Sequence, residues 1–594
     1  MQPSPSQASE RGAAPDSVGS LGPPDRPASS GALERLARRR AVLAAALVAV
    51  VLLGLAARVS YCQRGLPYMH RWGETTIAGL ALQILKTGDF NPHWFNYGAP
   101  TIYLHTAVDA LHYLWLCGQP EELVRSLADV LTPQDTGDRW TMSHPSFVLW
   151  NRVTTALLGT GVVLLAFQLG RRVVGRWAAV LAAAVVASIG THIDVSSSIR
   201  ADMPAALVAL GSVYCSVRFL EEERPRLLVA SLFLAGFAAA TKYNMAVVLV
   251  TPAAALAIAA AQRSAGYRPW LWWLVPALPA LAFVLGNPFA LLDLPSFLEA
   301  AGGEIRHYKQ GGQLGYRVEP GLPHAKAQLG YLALDFGAGW PWLGALSLLV
   351  AALGAAHVAR RRAGLVLFVF PLAYFLFMTR TRVEFRHNFV SLHPFVAIAL
   401  AAGLERVHGA LRARGLPRAS VALVAVVALA STVQLGVQVG RGAGVARERE
   451  TRTRAVDAVL RLARERGWKK VGFVSELHVH TLDQRRLASQ GVECVELGAD
   501  EMRKRRRELD ALVAPSRYDF SERIKDSWSE IDPERNDPTM VASRKKWAAL
   551  ERRMDELNEL TPREHALVEI PGGPCVFSIL MVNPGVLVIA GSAP

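Results

Sequence analysis

Long apolar stretches alternate with short polar connections between residues 41 and 437. A helix crosses the hydrocarbon core of a bilayer with roughly 17–25 mostly apolar residues. Most of the stretches reach that length, so the pattern predicts an α-helical polytopic membrane protein. We expect about eleven spans, at residues 41–57, 148–169, 177–194, 203–220, 227–241, 244–262, 269–290, 329–357, 365–380, 389–404 and 418–437.

Alternate connections between these spans carry arginine, which predicts the orientation of the chain. Connections rich in Lys and Arg remain on the cytoplasmic side of a membrane. The N-terminus is therefore expected in the cytoplasm, and the part after the last span outside it. This predicts a multi-pass protein of the cytoplasmic (inner) or plasma membrane. The arginine-containing connections are 170–176, 221–226, 262–269, 360–362 and 405–418.

Residues 99–117 form an ambiguous segment, long enough to span but containing His105, Asp109 and His112. Counting it as a span would also place the arginines of 170–176 outside. We therefore predict an interfacial helix with a polar face, within a first outer loop. Apolar residues at helical spacing around 77–85 predict a second amphipathic helix in the same loop.

The two ends of the chain differ from its apolar centre. The first 30 residues are rich in Pro, Ser, Gly and Ala, which is typical of a disordered tail. After residue 440, helix and strand patterns alternate, which predicts a small α/β domain. We expect a tail at 1–38, a transmembrane domain at 39–438 and an extracytoplasmic α/β domain at 439–594. The strands are predicted at 470–475, 493–497, 511–514 and 575–581, and the helices at 455–466 and 484–490.

The basic composition does not change the prediction of a membrane protein. The chain is 51% apolar, with a mean hydropathy of +0.23 and a net charge of +15. Many arginines form short groups between apolar runs, where they orient helices, so we predict a membrane protein with no nucleic-acid partner. The cysteines form no close metal-ligand pair. Cys494 and Cys575 would be able to form a bridge in an extracytoplasmic domain; the alternative is unpaired thiols.

Ionisable residues gather on the predicted outer side of the membrane. Because such groups are costly at a membrane, a cluster of them suggests a functional site. Arginine on this side opposes the general charge trend and suggests an anionic ligand. The clusters are 70–74 with Glu74, Asp194 with 200–204, 304–324 with His307 and Tyr308, 380–388 with Arg386 and His387, and the pair Lys242-Tyr243.

Each of these residues also has a purely structural interpretation. Glu74 opens a predicted helix, where the helix dipole stabilises a carboxylate. Asp202 precedes Met203-Pro204, so it is placed to cap a helix. Arg386 and Lys242 are candidates for anchoring helix ends at the membrane surface.

Four motifs, in this order, resemble the GT-C superfamily of membrane glycosyltransferases. The similarity is to the protein O-mannosyltransferase and lipid A aminoarabinose transferase group, and it extends from the first span to about residue 405. The motifs are Glu74-(x)6-Ala81-Leu-Gln-Ile-Leu-Lys-Thr-Gly-Asp-Phe-Asn-Pro-His-Trp-Phe-Asn-Tyr97, Arg200-Ala-Asp202-Met-Pro204, Ala240-Thr-Lys242-Tyr243, and Phe385-Arg386-His387-Asn388 followed by Leu392-His-Pro394.

The resemblance implies a hexosyl or pentosyl transferase of the cell envelope. Its donor would be a polyprenyl-phosphate-linked sugar, and its acceptor a lipid, glycan or protein on the extracytoplasmic side. It implies catalysis by Glu74 and Asp202, through proton acceptance or orientation of an acceptor. It implies binding of the donor phosphate by Arg200, Lys242, Tyr243 and Arg386, and substrate contacts from His307, Tyr308 and His387.

The chain departs from the family pattern at Gly73, where the family's first loop usually has the Asp of an Asp-Glu pair. Either Glu74 or another carboxylate such as Asp202 has the acid–base or metal-binding role, or this member has lost transfer activity. The alternative function is then a non-catalytic carrier-lipid-binding or assembly protein. A transporter is disfavoured because no internal repeat is visible. No cofactor is certain; a divalent metal occurs in some relatives.

Overall fold

The fold is largely helical. The computed structural model describes residues 30–69, 72–118, 126–136, 142–310, 316–516, 558–561, 563–571 and 584–591, with isolated positions at 548, 552 and 555. Short 3-10 helices at Tyr243–Leu249 and Arg386–Leu392 interrupt the α-helices. The α-helices up to residue 447 are α1 (Ser30–Tyr61), α2 (Trp72–Thr87), α3 (Ala99–Cys117), α4 (Pro133–Thr136), α5 (Pro145–Val173), α6 (Arg176–Ser188), α7 (Gly190–Ser196), α8 (Asp202–Glu222), α9 (Pro225–Thr241), α10 (Val250–Ala261), α11 (Leu271–Gly286), α12 (Phe289–Leu292), α13 (Leu294–Gln310), α14 (Leu322–Phe336), α15 (Pro341–Val358), α16 (Arg362–Met378), α17 (His393–Ala413) and α18 (Pro417–Arg447).

Each predicted span corresponds to a helical segment of suitable apolar composition. Within the described residues, seven segments have the length and hydropathy to cross a membrane, and the bent pair α6–α7 counts as one more. The shorter apolar helices α9, α11 and α16 correspond to the remaining three predicted spans. The prediction of a polytopic helical membrane protein is thereby confirmed. The seven segments are Arg40–Tyr61, Pro145–Val173, Asp202–Glu222, Tyr243–Ala261, Pro341–Val358, Arg386–Ala413 and Pro417–Arg466.

The predicted spans 329–357 and 177–194 are each divided between two α-helices. The predicted span 329–357 is divided into α14 and α15, because Ala338 and Gly339 adopt φ angles of 52° and 93°. Such left-handed angles are incompatible with a right-handed helix, and Pro341 begins the next one. The predicted span 177–194 is likewise divided into α6 and α7, which are bent by 65°. Both breaks place polar side chains at helix ends.

Helix α3 is not among the described segments suited to cross a membrane, and its polar face is buried. Asp109 and His105 are fully buried, whereas Leu111 and Leu114 are 69% and 67% exposed. His105 Nδ1 lies 2.9 Å from Asn151 Oδ1, and Asn151 Nδ2 donates to Asp109 Oδ1 at 2.8 Å. Burial lowers the pKa of His105 to about 4. The polar face therefore points inward, and the apolar face outward.

A buried asparagine joins the start of α3 to the end of α9. The Asn287 side chain accepts the backbone N–H of Ala99 at 2.6 Å and donates to the carbonyl of Ala240 at 2.8 Å. Gly98 permits this close approach, because a Cβ atom there would overlap the Ala240 carbonyl oxygen. Buried backbone groups require such partners. Asn287 therefore holds segment 95–99 beside residues 240–243.

The C-terminal part contains the predicted α/β pattern. Helices α19 (Thr451–Arg466), α20 (Thr481–Ser489) and α21 (Ala499–Arg505) accompany a five-stranded sheet of order β2-β1-β3-β5-β4. Strand β1 pairs in parallel with β2 and β3, while β5 pairs antiparallel with β3 and β4. The strands are β1 (Lys470–Val474), β2 (Glu493–Leu497), β3 (Ala511–Pro515), β4 (Ala566–Ile570) and β5 (Val586–Ala590).

Some predictions about the two ends fall partly outside the described residues. Residues 1–29 of the predicted tail are among those not described, and the remainder of that tail begins α1. The predicted strand 575–581 and Cys575 also lie outside the described residues, whereas Cys494 is on β2. The predicted boundary at residue 438 falls within α18.

The α/β part contacts the first loop through Tyr68, which is fully buried. Its hydroxyl donates to Asp483 Oδ2 at 3.0 Å and accepts the backbone N–H of His480 at 3.1 Å. The Arg452 guanidinium lies 3.7 Å from the centre of the Tyr68 ring, a cation–π contact. His480 Nε2 also lies 2.7 Å from the carbonyl oxygen of Met142. These contacts fix the segment that leads into α2.

We expect Asn287→Leu to lower the free energy of unfolding by about 2–4 kcal/mol, since it leaves a buried N–H and a buried carbonyl without partners. Thermal unfolding in detergent measures the change. Gln262→Leu is the matched control: it removes an exposed hydrogen bond to Arg362 and should change stability by less than about 0.5 kcal/mol. Equal effects of both substitutions would contradict the assigned role of Asn287.

We expect Tyr68→Phe to lower the free energy of unfolding by about 1–3 kcal/mol, because Asp483 and the His480 N–H lose a buried partner. Limited proteolysis should then cleave the α/β part faster, whereas Tyr267→Phe should leave the rate unchanged. An unchanged cleavage rate in Tyr68→Phe would show that this contact does not hold the α/β part in place.

Candidate functional site

A buried ion pair lies where the start of α8, the end of α9 and the 3-10 helix Arg386–Leu392 meet. Lys242 Nζ donates to Asp202 Oδ1 at 2.6 Å and to Asn388 Oδ1 at 2.7 Å. All three residues are buried. A lysine ammonium has three N–H donors, so these two bonds leave one N–H for a further partner.

The local structure of each segment directs these side chains toward one another. Asp202 is the first residue of α8, and Pro204 is tolerated there because the first turn needs no N–H donor. Ala201 is the N-cap, so Asp202 does not cap the helix. Lys242 leaves α9 in an extended conformation, with φ −151°. The Tyr374 hydroxyl donates to the carbonyl of Asn388 at 3.0 Å, which fixes the third segment.

Other predicted residues surround this ion pair. The charges of Lys242, His387 and Arg200 all act on the Asp202 carboxylate. The Nε atom of Arg200 is buried and has no hydrogen-bond partner among the described residues. A buried donor without a partner costs about 1–3 kcal/mol. The arrangement is therefore suited to an anionic ligand that would accept from Arg200.

Two tyrosines complete the cluster. The pKa of Tyr97 is raised to about 12, mainly by burial, with Arg200 lowering it and Asp202 raising it. Burial also raises the pKa of Tyr308, whereas the nearby Asn388 side chain lowers it. Both phenols are therefore neutral near pH 7 and are available as hydroxyl donors.

The predicted histidines lie at the edge of this cluster. The His307 ring packs edge-on against Tyr308, with ring centres 5.6 Å apart. The His387 ring stacks on Phe385 at 5.0 Å. The backbone N–H of Arg382 donates to the Tyr308 carbonyl at 2.8 Å, which joins the end of α13 to the segment before residue 386.

Glu74 lies in a different, fully buried ion pair. Arg152 Nε and Nη2 donate to the two carboxylate oxygens of Glu74 at 2.7 and 2.6 Å. Arg152 Nη1 also donates to the carbonyls of Cys62 and Arg64. The backbone N–H of Ile199 donates to Glu74 Oε1 at 3.2 Å. This pair therefore connects the first loop to the segment that carries Arg200.

Arg386 is also paired elsewhere. It forms a salt bridge with Asp335, at the end of α14. Asp335 Oδ1 accepts the Thr191 hydroxyl at 2.6 Å, and Asp335 Oδ2 lies 3.2 Å from His393 Nε2. The Asp335 side chain is only 3% exposed, whereas that of Arg386 is 41% exposed. The breaks after α6 and α14 bring this second polar cluster together.

Tyr243 uses its hydroxyl for a structural contact. The hydroxyl donates to the carbonyl of Phe95 at 2.9 Å, and the ring packs against Phe297 with centres 6.1 Å apart. This contact holds the segment before Tyr97 close to Lys242.

Sequence reasoning missed Arg152 and Asp335, although each had a visible signal. Both are ionisable residues inside predicted apolar spans, at 148–169 and 329–357. Such residues are costly in a membrane and usually face a partner or a site. Among the described residues, no group of three His, Cys, Asp or Glu side chains is arranged to hold a metal ion. Metal binding stays a prediction.

The chain is similar to several known membrane transferases. Residues 149–287 match the family described as dolichyl-phosphate-mannose-protein mannosyltransferase. No curated protein sequence gives a significant match. ArnT from Cupriavidus metallidurans bound to undecaprenyl phosphate is 14% identical, with a TM-score of 0.45, covering 92% of this chain and 97% of that one. The oligosaccharyltransferase AglB from Archaeoglobus fulgidus, in complex with an inhibitory peptide and a dolichol-phosphate, is 13% identical, with a TM-score of 0.47, covering 80% and 70%.

The matched segment 149–287 contains Arg200, Asp202 and Lys242, the residues that form and surround the central ion pair. The predicted resemblance to the GT-C superfamily of membrane glycosyltransferases is thereby confirmed over this segment.

Proposed function

We propose that the protein transfers a sugar from a polyprenyl-phosphate donor to an acceptor on the extracytoplasmic side of the membrane. The family description names a dolichyl-phosphate-linked sugar, which is a donor of this class. The arginine pattern of the connections supports the outer location of the site and of the α/β part. The acceptor is a lipid, glycan or protein, and the transferred group a hexose or pentose.

The observation that carries this proposal is that the two cations beside Asp202 have N–H donors available for a ligand. Lys242 has one N–H beyond its bonds to Asp202 and Asn388, and Arg200 has a buried Nε without a partner among the described residues. A phosphate oxygen would satisfy both donors with charge-assisted hydrogen bonds. These bonds would strengthen as charge develops on the departing phosphate.

The remaining site residues have supporting roles in this proposal. Asp202 orients Lys242 and limits the excess positive charge of the site before the donor binds. Tyr308 and His387 contact the sugar or phosphate, and His307 supports Tyr308 through ring contact. Arg386, with 41% of its side chain exposed, is a further anion contact at the edge of the site. Tyr243 acts by holding segment 95–97 in place.

We propose a positioning role for Glu74 in place of the acid–base role predicted from the resemblance. Both carboxylate oxygens accept from Arg152, and the pair is at most 1% exposed. A carboxylate held by a guanidinium is a poor proton acceptor. Its bond to the Ile199 N–H fixes the residue next to Arg200.

One observation favours the alternative of a non-catalytic carrier-lipid-binding protein. The two carboxylates predicted to be catalytic, Glu74 and Asp202, are both paired with cations, and Gly73 supplies no third. The two functions differ in the step after the carrier lipid binds. Deleting the protein removes a sugar from lipids, glycans or proteins if it is a transferase, and leaves all glycans unchanged if it only binds the carrier.

We expect Lys242→Met to weaken binding of undecaprenyl phosphate about 10- to 100-fold, the effect of losing one charge-assisted hydrogen bond. Native mass spectrometry of the protein in nanodiscs measures this affinity. Lys470→Met is the matched control, since Lys470 lies on β1 near Glu493. Its affinity should equal that of the wild type.

Adding Asp202→Asn shows whether weaker binding comes from the lost ammonium or from the unpaired Asp202 charge that Lys242→Met leaves buried. The double variant Lys242→Met/Asp202→Asn has no unpaired charge at this position but still lacks the ammonium. It should therefore bind undecaprenyl phosphate as weakly as Lys242→Met alone. Asp202→Asn by itself should not weaken binding, because it removes a negative charge beside the phosphate. Wild-type affinity in the double variant would exclude Lys242 as a phosphate ligand.

We expect Glu74→Gln to lower the free energy of unfolding by about 3–5 kcal/mol, because it leaves the buried guanidinium of Arg152 without a counterion. Adding Arg152→Leu should restore much of this stability, since no charge then remains buried. Thermal unfolding of the variants in detergent tests this pattern. A stable Glu74→Gln protein without transfer activity would instead support catalysis by Glu74.

A further inference from the structure

The proposed transfer requires a proton acceptor, and the two predicted carboxylates are poorly placed for it. Asp202 lies 2.6 Å from the Lys242 ammonium, and Glu74 lies 2.6 Å from a guanidinium nitrogen of Arg152. A nearby cation stabilises the ionised carboxylate and so weakens it as a base. A third carboxylate near the site without such a cation would be better suited.

Glu304, on α13, has a neutral partner. Its Oε1 accepts from Asn96 Nδ2 at 2.6 Å, and no cation of the described residues pairs with it. The residue is partly exposed. An amide donor orients the carboxylate without adding a positive charge, and it leaves Oε2 available. Glu304 is therefore oriented but not neutralised.

Glu304 lies close to the central ion pair across two tyrosines. The hydroxyl of Tyr243, the residue after Lys242, donates to the Phe95 carbonyl at 2.9 Å, which holds the segment with Asn96 and Tyr97 beside Lys242. The Tyr97 and Tyr308 phenols, whose pKa is raised first by burial, also feel the charges of both Glu304 and Asp202. Tyr97 directly follows Asn96, the hydrogen-bond partner of Glu304, and Tyr308 follows Glu304 by one helical turn. Both carboxylates therefore border the same group of aromatic side chains.

Gly73 leaves open space beside the same tyrosine. A Cβ atom on Gly73 would meet only Tyr97 Cε2 and the Tyr97 hydroxyl, both at 3.9 Å, which is ordinary contact distance. No side chain from this position separates Tyr97 from the start of α2. A side chain introduced at position 73 would therefore begin 3.9 Å from the Tyr97 hydroxyl, with no steric conflict at its Cβ atom.

We infer that Glu304 is the general base of the proposed transfer reaction. Its carboxylate accepts the proton of an acceptor hydroxyl while the hydroxyl oxygen forms a bond to the anomeric carbon of the sugar. The bond from that carbon to the phosphate oxygen breaks, and its electron pair remains on the polyprenyl phosphate, beside Lys242 and Arg200. Glu304 afterwards releases the proton to water. This inference depends on the proposed function.

The test compares transfer with donor binding in membranes that contain the polyprenyl-phosphate sugar. Glu304→Gln should reduce transfer about 10²- to 10⁴-fold, the usual contribution of general base catalysis. Binding of undecaprenyl phosphate should remain within about twofold of wild type, because Glu304 does not hold the phosphate. Glu299→Gln, on an exposed position of the same helix, is the matched control and should retain full transfer.

A second variant protects the test against a folding defect. Gly73→Asp in the Glu304→Gln background places a carboxylate beside Tyr97 and should restore transfer at least tenfold. Retention of full transfer in Glu304→Gln would overturn the inference. So would a loss of phosphate binding as large as that of Lys242→Met. A wild-type protein that binds undecaprenyl phosphate but transfers no sugar would instead refute the proposed function itself.

Discussion

The structure depends on the pairing of buried charges, because a buried charge left without a counterion is costly. Arg152 and Glu74 meet this constraint by pairing at 2.6 and 2.7 Å, with almost no exposure. The same pair bonds to the first loop and to Ile199, so it fixes the distance between the two segments that border the site. Lys242 and Asp202 satisfy the constraint with only part of their bonding capacity, which leaves room for a ligand.

The sequence was sufficient to predict the helices but not their breaks or faces. Hydropathy identifies spans because a bilayer demands length and apolarity, and each predicted span has a helical counterpart. The division between α14 and α15 depends on the left-handed angles at Ala338 and Gly339, which a short Gly-containing segment inside an apolar run does not specify. The inward direction of the polar face of α3 was not predicted, because amphipathicity does not say which face is buried.

The site was predictable to the extent that its residues belong to short motifs. Lys242, Asp202 and Asn388 belong to three separate motifs, and their side chains contact one another in the structure. This contact is consistent with the family resemblance. Residue partners far apart in sequence were not predictable, since pairs such as Arg386 with Asp335 depend on how helices pack. One member of each of these pairs, Arg152 or Asp335, lies inside a predicted apolar span, where a single charge contributes little to the average hydropathy.

The bond between Lys242 and Asp202 has a consequence for the end of the proposed transfer reaction. A sugar donor carries one negative charge on its phosphodiester, whereas the polyprenyl phosphate left after transfer is a monoester with about −1.5 to −2 charges near neutral pH. Asp202 repels the more highly charged product more strongly, while it keeps its bond to the Lys242 ammonium throughout. The internal counterion would thus limit product inhibition and favour turnover.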